Sequence, residues 1–537
     1  MKTKTDQLNT KFQYFNAIRG VTSPREYAKA LAVVKKVREE AKVLNTELSS
    51  EQLFGLMTAV SNEFNIDSPF KDRGSFHNVF HSTEEFKELT WGDIVTFYEN
   101  DMENDRKILV PEEVVNEMMK KLSSNKKNIL IAEADKFSTS LAEMVSSNKK
   151  VKFTLTTDDD FYFKLLHLMF HDEPRVKVEK TSIYKYGFSN EKYDFIFSVP
   201  TFGVREKASE DAPFISRDFE MIALENLALH LESEGTLSIV LPIRITFARG
   251  RVAELREFVQ TMYSLEEIAE LPAGIFKNTG IRTCFLTIST GRTEEVTIKE
   301  LELKEVAGES RLDPKQETFV FDSELTEMGD WNIDRILQSQ DEEWVKFMES
   351  SIRKQELGTL TTIFRGKAIG KKVPTGNIGV INISNIGEYE VDYSELDYIE
   401  EEDRKIASYL LKTGDLLIPA RGTAIRIAIF EEQSYPVIAS SNVIIIRAND
   451  GSLSTTYLKI FLDSPLGRKM ILARQQGATV MNISYKELND IEIPLPTIEE
   501  QDDIAKEYEH ELEIYKDTIY KAEKRWNETI EKLRNKI

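Results

Sequence analysis

Apolar side chains recur every three or four positions in the first hundred residues, in stretches such as PREYAKALAVVKKVREEAKVL and SEQLFGLMTAVSNEF. This spacing places them on one helix face, so residues 1–105 are predicted to form an N-terminal helical domain. From residue 106 to 295, short apolar runs such as NILIA, YDFIFSV and GTLSIVLP alternate with helical stretches. That alternation is typical of a mostly parallel sheet with helices on both faces.

The remaining third of the chain shows three further patterns. Residues 296–345 combine the β-branched stretch EEVTIKELEL with acidic sequence, and they are predicted to be a connector between domains. Residues 346–497 contain β-rich segments punctuated by glycine, such as DLLIPARGTAIRIAIF, and predict a mixed α/β domain.

Residues 498–537 are predicted to form one long helix, because apolar side chains recur there at helical spacing. Two interpretations of this face remain open: it packs on its own domain, or it pairs with a second chain as in a coiled coil. The residues of the face are Ile504, Tyr508, Leu512, Tyr515, Ile519, Ala522, Trp526, Ile530 and Leu533.

Composition narrows the possible classes of protein. The chain has 537 residues, a net charge of −21 and a single cysteine, Cys284. It can therefore form several domains, but it can form no disulfide within itself and no thiolate metal cluster. With a single cysteine we expect a cytoplasmic protein, and because no apolar run reaches about 18 residues we expect no membrane span. The acidic charge restricts any nucleic-acid site to a local patch.

Five segments of the middle region, read in order, are similar to the methylation subunit of type I restriction-modification systems. Members of that family methylate the exocyclic amino group of adenine, so the resemblance implies a Rossmann-like methyltransferase domain at 106–295. The segments are VPEEVV at 110–115, the strand at 128–132, SVPTFG at 198–203, GTLSIVLP at 235–242 and LPAGIFKNTGIRTCFLTIS at 271–289.

The resemblance implies a glycine-rich turn after the first strand, where the backbone must approach S-adenosylmethionine closely. Here that turn reads ILIAEADKFSTSL, and the two glycine positions hold Asp135 and Phe137. The acidic residue that would bind the ribose hydroxyls is replaced by Thr156 or Thr157, with Asp158 out of register. Cofactor binding is therefore predicted to be lost at this turn, including its first residue, Glu133.

The family's catalytic motif is of the Asn-Pro-Pro-Phe type, in which the asparagine accepts a hydrogen bond from the target amine and the ring stacks on the flipped base. The matching residues are Ser198, Val199, Pro200, Thr201 and Phe202. With the aromatic positions aligned, Val199 takes the asparagine's place and offers no side-chain acceptor. The register with Ser198 at that place restores a weak acceptor but shifts the ring. We expect no catalytic residue here.

The C-terminal region resembles the target-recognition domain of type I specificity subunits. The resemblance rests on GDLLIPARGT at 414–423, ASSNVIIIR at 439–447 and QQGATVMNISYKELNDIEIPLPTIEEQ at 475–501. It implies that residues 346–497 read one half of a two-part DNA site, and that the following helix spaces this domain from a second copy.

Candidate DNA contacts are concentrated in this region. The stretch 351–380 carries six basic residues and one acid, Glu356, which fits a phosphate-facing patch. Arginine and glutamine can pair bidentately with guanine and adenine edges, so those near glycine turns are candidates for base contacts. The predicted DNA-binding residues are Arg365, Lys367, Lys371, Lys372, Arg421, Thr423, Arg426, Arg474, Gln475 and Gln476.

Other chemistry has weaker support in the sequence. The pairs His77/His81 and His167/His171 have helical spacing but lack the His-Glu-x-x-His metalloprotease pattern, so no metal site is expected. Cys284 lies in an apolar stretch and is predicted to be a buried, inert thiol. No Walker-type glycine loop is present, and no nuclease constellation is apparent in the first 105 residues.

The sequence thus predicts an α/β protein with an N-terminal helical region, a Rossmann-like methyltransferase-fold domain, a mixed α/β target-recognition domain and a long C-terminal helix. The expected function is sequence-specific binding of double-stranded DNA on an inactive methyltransferase-like scaffold, within a restriction-modification, phage-defence or mobile-element system. The expected partners are DNA and either a second copy of the chain or other modification or defence subunits.

Two alternatives predict different properties. An active single-chain DNA adenine methyltransferase would bind S-adenosylmethionine and methylate a specific duplex. A protein-interaction adaptor that has lost DNA binding would keep its duplex affinity unchanged when Lys367, Lys371 and Lys372 are replaced together.

Overall fold

The computed structural model confirms the predicted α/β fold class with a long C-terminal helix, and the chain divides into two compact units, Met1–Ile333 and Asp334–Ile537. The residues that it describes are 24–44, 48–67, 70–83, 90–100, 108–123, 125–206, 214–277, 279–306, 308–422, 425–449, 451–476, 482–483 and 485–534.

The first unit combines helices with one large sheet. Its helices are α1 Pro24–Leu44, α2 Ser50–Glu63, α3 Arg73–Ser82, α4 Trp91–Asn100, α5 Glu112–Lys120, α6 Leu141–Ser147, α7 Asp160–Phe170, α8 Phe219–Ala228, α9 Arg251–Met262 and α10 Asp322–Met328. Its strands are β1 Asn128–Ala132, β2 Lys152–Thr157, β3 Val176–Lys180, β4 Tyr193–Ser198, β5 Leu231–Pro242, β6 Ser264–Glu270, β7 Thr283–Ser289, β8 Glu295–Val306 and β9 Glu309–Phe321. Helix α11, Ile333–Ser339, begins at the unit boundary.

The nine strands lie in the order β3-β2-β1-β4-β5-β7-β6-β8-β9. The first five are parallel, and the direction of winding reverses between β1 and β4. These two strands pair from Ile129 with Phe195 to Ala132 with Ser198, so their carboxyl ends meet at one edge. In open α/β sheets a ligand crevice lies outside the carboxyl ends at such a switch point.

The central strands are buried because their sequences are continuously apolar. Strand β1 reads NILIA and β4 reads YDFIFS, and most of their side chains are inaccessible to solvent. Parallel strands covered on both faces need this composition rather than an alternating one. The predicted strands at 128–132 and 193–199 therefore correspond to β1 and β4.

The predicted boundary at residue 105 does not separate two cores. Buried residues of α1 to α4 share a hydrophobic cluster with Tyr162, Leu165 and Leu168 of α7. Helix α7 also packs on β2 and β3, so it has apolar residues on more than one face. The N-terminal helices consequently belong to the same compact unit as the sheet.

The predicted connector at 296–345 is wrong for most of its length. Its first half forms β8 and β9, a hairpin in which β8 runs parallel to β6 through the pair Glu267 and Thr297. The alternating, β-branched stretch that marked this segment is the pattern of a strand. Trp331 is fully buried and donates its indole N–H to Gln260 at 3.2 Å, so the first unit extends to residue 333.

The second unit is built from short strands and helices. Its remaining helices are α12 Glu342–Glu349, α13 Leu357–Leu360, α14 Asp403–Ile406, α15 Thr455–Asp463, α16 Pro465–Leu472 and α17 Ile498–Arg534. Its strands are β10 Lys354–Glu356, β11 Thr361–Arg365, β12 Ile378–Ile381, β13 Asp397–Ile399, β14 Leu416–Pro419, β15 Ala428–Ile429, β16 Val437–Ala439, β17 Val443–Ala448, β18 Gln475–Gln476, β19 Asn482–Ile483 and β20 Glu492–Pro494.

Two small sheets form the core of the second unit, with strand orders β11-β17-β14-β15 and β13-β12-β16. Asp415, just before β14, is 1% exposed and accepts two hydrogen bonds from Arg447 of β17, at 2.7 and 2.6 Å. Arg447 also donates to the carbonyl of Leu410 at 2.8 Å. This pair fixes β14 against β17, and the sequence did not single it out.

Helix α17 packs on its own unit along its first half. Gln501 is fully buried and donates to the carbonyls of Ser452 and Pro496, while Tyr508 accepts from Lys459 at 3.1 Å. Beyond this half the predicted apolar face is exposed, with Trp526 64% and Leu533 50% accessible. The first half therefore packs on its own domain, as the first interpretation predicts, and pairing of the second half with another chain stays a prediction.

Candidate cofactor turn and nucleic-acid interface

The turn after β1 begins with a non-glycine residue in a left-handed conformation. Glu133 has φ 52° and ψ 53°, and the 3₁₀ turn Ala134–Phe137 follows it. Left-handed backbone costs a residue with a Cβ on the order of 1–3 kcal/mol and persists where the surroundings enforce it. At Glu133 the surroundings are a set of polar contacts made by its own side chain.

Lys136 is the centre of these contacts and joins the turn after β1 to the turn after β4. Its ammonium donates to the Glu133 carboxylate at 2.7 Å, to the Val199 carbonyl at 2.8 Å and to the Thr201 hydroxyl at 3.1 Å. Only 4% of this lysine is exposed. A buried ammonium requires a charge partner and full hydrogen bonding, and here it has both.

The Glu133 carboxylate is saturated by further donors. Its Oε1 accepts from the Thr201 hydroxyl at 3.1 Å, and its Oε2 accepts from the Tyr184 hydroxyl at 2.8 Å. The Tyr184 oxygen in turn accepts from the Thr201 amide at 2.8 Å. Burial, together with the nearby Glu133 carboxylate, raises the pKa of Tyr184 well above its ordinary value, so the phenol stays a donor. We call Glu133, Lys136, Tyr184 and Thr201 the switch-point network.

The residues predicted at the glycine positions are directed into the protein. Phe137 is fully buried in the main core cluster, and Asp135 is also buried. Thr156 is buried at the end of β2 and accepts a hydrogen bond from the Glu133 amide at 3.3 Å. The turn is therefore held by side chains, whereas a glycine turn would leave this space open.

The residues aligned with the catalytic tetrapeptide are buried or partly buried. Val199 is fully buried, and the buried Ser198 hydroxyl has no hydrogen-bond partner in the described part of the chain. Phe202 packs edge-on against Phe276 with ring centroids 6.4 Å apart. Lys136 and Tyr184 were missed in the sequence because neither stands at a position whose residue type the family motifs specify.

The structure also places the cysteine and one of the histidine pairs that were considered in the sequence. Cys284 is buried as predicted, and burial raises the pKa of its thiol. His77 and His81 contact each other at 3.0 Å on the exposed face of α3. Within the described ranges, no three His, Cys, Asp or Glu side chains converge as metal ligands do.

Three predicted DNA-binding segments of the second unit converge on Ile483 of β19. Arg365, at the end of β11, donates to the Ile483 carbonyl at 3.4 Å. The Ile483 amide donates to Ala420, the residue before Arg421, at 2.9 Å. Ile483 also pairs with Gln475 of β18, which follows Arg474. We call this region the Ile483 edge.

The arginines at this edge differ in burial and in hydrogen bonding. The Arg365 Nε–H is buried and has no hydrogen-bond partner among the described residues. Arg474 donates to the Met470 carbonyl at 3.2 Å, and burial, followed by the charge of Arg335, lowers its pKa. Arg421 and Arg426 are exposed. Thr423 lies outside the described residues, and for Gln475 and Gln476 the structure describes the backbone alone.

The basic stretch at 351–380 divides into structural and exposed members. Lys354 donates to the carbonyls of Met348 and Ser350 at the end of α12. Lys372 is ion-paired with Asp397 at 2.5 Å and lowers the pKa of that carboxyl. Lys371 is exposed, and the Lys367 ammonium lies 5.9 Å from the Tyr409 ring centroid. The six charges therefore do not form one uniform patch.

Two families match adjoining parts of the chain. Residues 166–357 match the family N-6 DNA Methylase, and residues 350–525 match the family Type I restriction modification DNA specificity domain. The first match contains the 198–203 turn but begins after the switch-point turn at 133–137. No helix within the described ranges is long and apolar enough to cross a membrane.

Two curated relatives are specificity subunits. The putative type I restriction enzyme MjaX specificity subunit of Methanocaldococcus jannaschii is 28% identical over 133 residues, which are 24% of this chain and 31% of the relative. The type I restriction enzyme EcoBI specificity subunit of Escherichia coli is 28% identical over 159 residues, 29% of this chain and 32% of the relative. The chain thus spans about a third of the length of these relatives.

Solved structures to which this chain is similar include the type IIG restriction endonuclease BpuSI, with a TM-score of 0.49 and 12% identity over 94% of this chain and 75% of that one. The type I restriction-modification methyltransferase subunit from Streptococcus thermophilus has a TM-score of 0.43 and 14% identity, over 57% of this chain and 80% of that one.

Proposed function

We propose a function from the premise that residues 166–357 form an N-6 DNA methylase domain and residues 350–525 form a type I restriction-modification DNA specificity domain. The chain is a cytoplasmic, sequence-specific DNA-binding protein, and its methylase domain is a scaffold without methyl transfer. It supplies specificity to a modification, restriction or phage-defence assembly through other subunits or a second copy of itself.

The convergence at the Ile483 edge carries the DNA-binding part of this proposal. Three segments distant in sequence bring Arg365, Arg421 and Arg474 to one region of a domain matched to DNA specificity. The buried Nε–H of Arg365 has no hydrogen-bond partner among the described residues, and such a donor is suited to phosphate oxygens and to the acceptor edge of guanine. Because the chain as a whole carries a net charge of −21, DNA binding would require a local basic region of this kind.

The switch-point network supports the inactive scaffold. S-adenosylmethionine would need backbone exposed at the turn after β1, and Glu133 and Lys136 fill that turn with bonded side chains. The Val199 carbonyl is engaged by Lys136, and the Val199 side chain provides no acceptor for an amine. The residues present therefore do not fit this cofactor.

The test titrates the full chain calorimetrically with S-adenosylmethionine, with and without a duplex pool, and selects bound duplexes from the same preparation. We expect no heat with the cofactor and enrichment of one duplex sequence. Micromolar cofactor binding together with methyl transfer would instead support the alternative, an active DNA adenine methyltransferase. Absence of any sequence enrichment would contradict DNA specificity.

A further inference from the structure

The amino-terminal edge of the parallel strands carries a repeated basic sequence. The pentapeptide SSNKK occurs at 123–127 and again at 146–150. The first copy ends directly before β1, and the second is followed by Val151 and then by β2, the neighbour of β1 in the sheet. Because β1 and β2 are parallel, both copies lie at the edge where these strands begin, whereas the switch-point turn follows the carboxyl end of β1.

Backbone hydrogen bonds bring lysines of the two copies together. The Lys152 amide, at the start of β2, donates to the Lys127 carbonyl at 2.8 Å. The Val151 amide donates to the Asn148 carbonyl at 3.1 Å, which closes a tight turn with two lysines at its central positions. Neighbouring strands lie about 4.8 Å apart, so the lysines at the starts of β1 and β2 form one group. We call Lys127, Lys149, Lys150 and Lys152 the lysine cluster.

The lysine cluster is not neutralised by ion pairs. All four of its side chains are exposed, and none forms an ion pair with a described residue. The carboxylate of Asp194 accepts hydrogen bonds from the amides of Lys127 and Asn128, at 3.0 and 2.9 Å, so it is engaged by the backbone. The Lys126 ammonium, by contrast, donates to the Glu234 carbonyl and is left out of the cluster. The four cluster lysines are therefore available to an anionic ligand.

The chemistry of the cluster favours a phosphate backbone over an acidic protein as its ligand. Among the described residues of 123–127 and 148–152, no large apolar side chain is exposed. Protein–protein interfaces have apolar cores and are depleted in lysine. Lysine carries a point charge on a flexible stem, which suits phosphate oxygens and carries no information about base sequence. In a chain with a net charge of −21, four clustered lysines indicate a local site for a polyanion.

We propose that the lysine cluster binds the phosphate backbone of double-stranded DNA without regard to sequence. The cluster lies in the first unit, outside the specificity domain at 350–525, so this contact goes beyond the proposed function. Strand β1 has five residues and spans about 13 Å, which places the bound duplex at the opposite end of the strand from the switch-point turn. The cluster adds affinity for any duplex, while the choice of sequence stays with the Ile483 edge.

Binding of a short duplex that lacks the selected sequence tests this site in the full chain. The cluster variant carries Lys127→Gln, Lys149→Gln, Lys150→Gln and Lys152→Gln. Fluorescence anisotropy across a salt series should show at least tenfold weaker binding at low salt. The slope of log affinity against log salt should fall by about 2 to 3.5, at roughly 0.9 per phosphate contact.

Two further variants serve as controls. Replacing four exposed lysines elsewhere by glutamine changes the net charge equally and should leave the affinity within about twofold of wild type; these are Lys71, Lys346, Lys506 and Lys524. Lys149→Gln with Lys150→Gln alters the turn alone and should lose about half of the slope change. Thermal unfolding of every variant should match the wild type, because all the replaced side chains are exposed.

Lysine acetylation followed by mass spectrometry locates the contact independently. The same duplex should protect the four cluster lysines of the wild type from acetylation. It should leave Lys71 and Lys346 as reactive as they are in the chain without DNA. Protection confined to Lys367 and Lys371 would place the sequence-independent contact in the second unit and overturn the proposal.

Three anisotropy results also overturn it: a wild type that does not bind the duplex at low salt, a cluster variant with wild-type affinity and slope, or a control variant that loses as much affinity as the cluster variant. A wild type that binds a polyglutamate peptide but no duplex would indicate an acidic protein as the ligand instead. Duplex selection keeps the two hypotheses separate. The cluster variant should still enrich one sequence, whereas absence of enrichment in the wild type contradicts DNA specificity alone.

Discussion

The switch-point network and the Ile483 edge both lie where strands end and turns converge, yet the cations at the two places differ in how fully they are hydrogen-bonded. At the switch point, Lys136 has a carboxylate, a carbonyl and a hydroxyl as partners. At the Ile483 edge, Arg365 donates one long hydrogen bond to the Ile483 carbonyl, and its buried Nε–H has no acceptor among the residues that the structure describes. A site whose hydrogen bonds are all made within the protein has few donors or acceptors for a ligand. A donor without a partner can instead bind one. The contrast predicts that a ligand binds at the Ile483 edge rather than at the switch-point network.

The largest expected effect is on stability, and it comes from removing the charge of Lys136 at the centre of the switch-point network. Lys136→Met leaves the Glu133 carboxylate without its cation, so the free energy of unfolding should fall by about 3 kcal/mol. Urea denaturation followed by circular dichroism measures it. The double variant with Glu133→Gln should recover part of the loss, because neither charge is then stranded. Equal stability of wild type and Lys136→Met would mean that the network does not hold the turn.

The next largest effect is expected on DNA binding at the Ile483 edge. Arg365→Ala should weaken binding of the selected duplex by about 1–3 kcal/mol, because its donors would no longer meet a base or phosphate. Fluorescence anisotropy at fixed salt measures this loss. Arg404→Ala removes an exposed arginine paired with Glu402 in the same unit and serves as the control. If both variants bind the duplex like the wild type, the Ile483 edge is not the DNA contact.

A smaller effect, on the salt dependence of DNA binding, should distinguish Lys367 and Lys371 from the ion-paired Lys372. Replacing Lys367 and Lys371 by alanine should reduce the slope of log affinity against log salt by about 2, at roughly 0.9 per phosphate contact. Adding Lys372→Ala should change the slope little further, because Asp397 already offsets that charge. An unchanged slope in the triple variant would favour the adaptor that has lost DNA binding.

The smallest effect is on stability and depends on pH. Lys372 lowers the pKa of Asp397, so this ion pair stabilises the fold above the carboxyl's ordinary pKa of about 4 and the contribution is lost as pH falls through the lowered value. Lys372→Met should cost under 1 kcal/mol at pH 7, as is usual for surface pairs. Thermal unfolding at pH 7 and pH 3 should show the difference from wild type shrinking; a constant difference would contradict it.

The sequence predicted the parts of the fold that depend on local pattern. Continuous apolar runs located β1 and β4, and their order with the intervening helices indicated the parallel sheet. The hairpin of β8 and β9 was misjudged because acidic side chains on its exposed positions resembled linker sequence. Whether such a segment is a strand or a linker depends on its pairing with other strands, and the local sequence does not show that pairing.

The candidate sites illustrate the same limit. Departures at Asp135, Phe137 and Val199 were visible because a motif fixes what should stand there. Lys136 and Tyr184 were not, because their importance depends on contacts across 51 to 65 residues of sequence. The meeting of β11, β14 and β18 around Ile483 likewise depends on tertiary folding, although the arginines themselves could be singled out.

The interlocking contacts of the switch-point network also restrict how this turn can evolve. A change of Glu133 to glycine would ease the backbone but strand the Lys136 ammonium, and a change of Lys136 alone would strand the carboxylate. Each single step passes through a less stable protein, so a glycine turn is accessible only through a compensated double change. Natural selection for a stable fold is therefore enough to preserve this turn, whether or not the neighbouring turn after β4 supports methyl transfer.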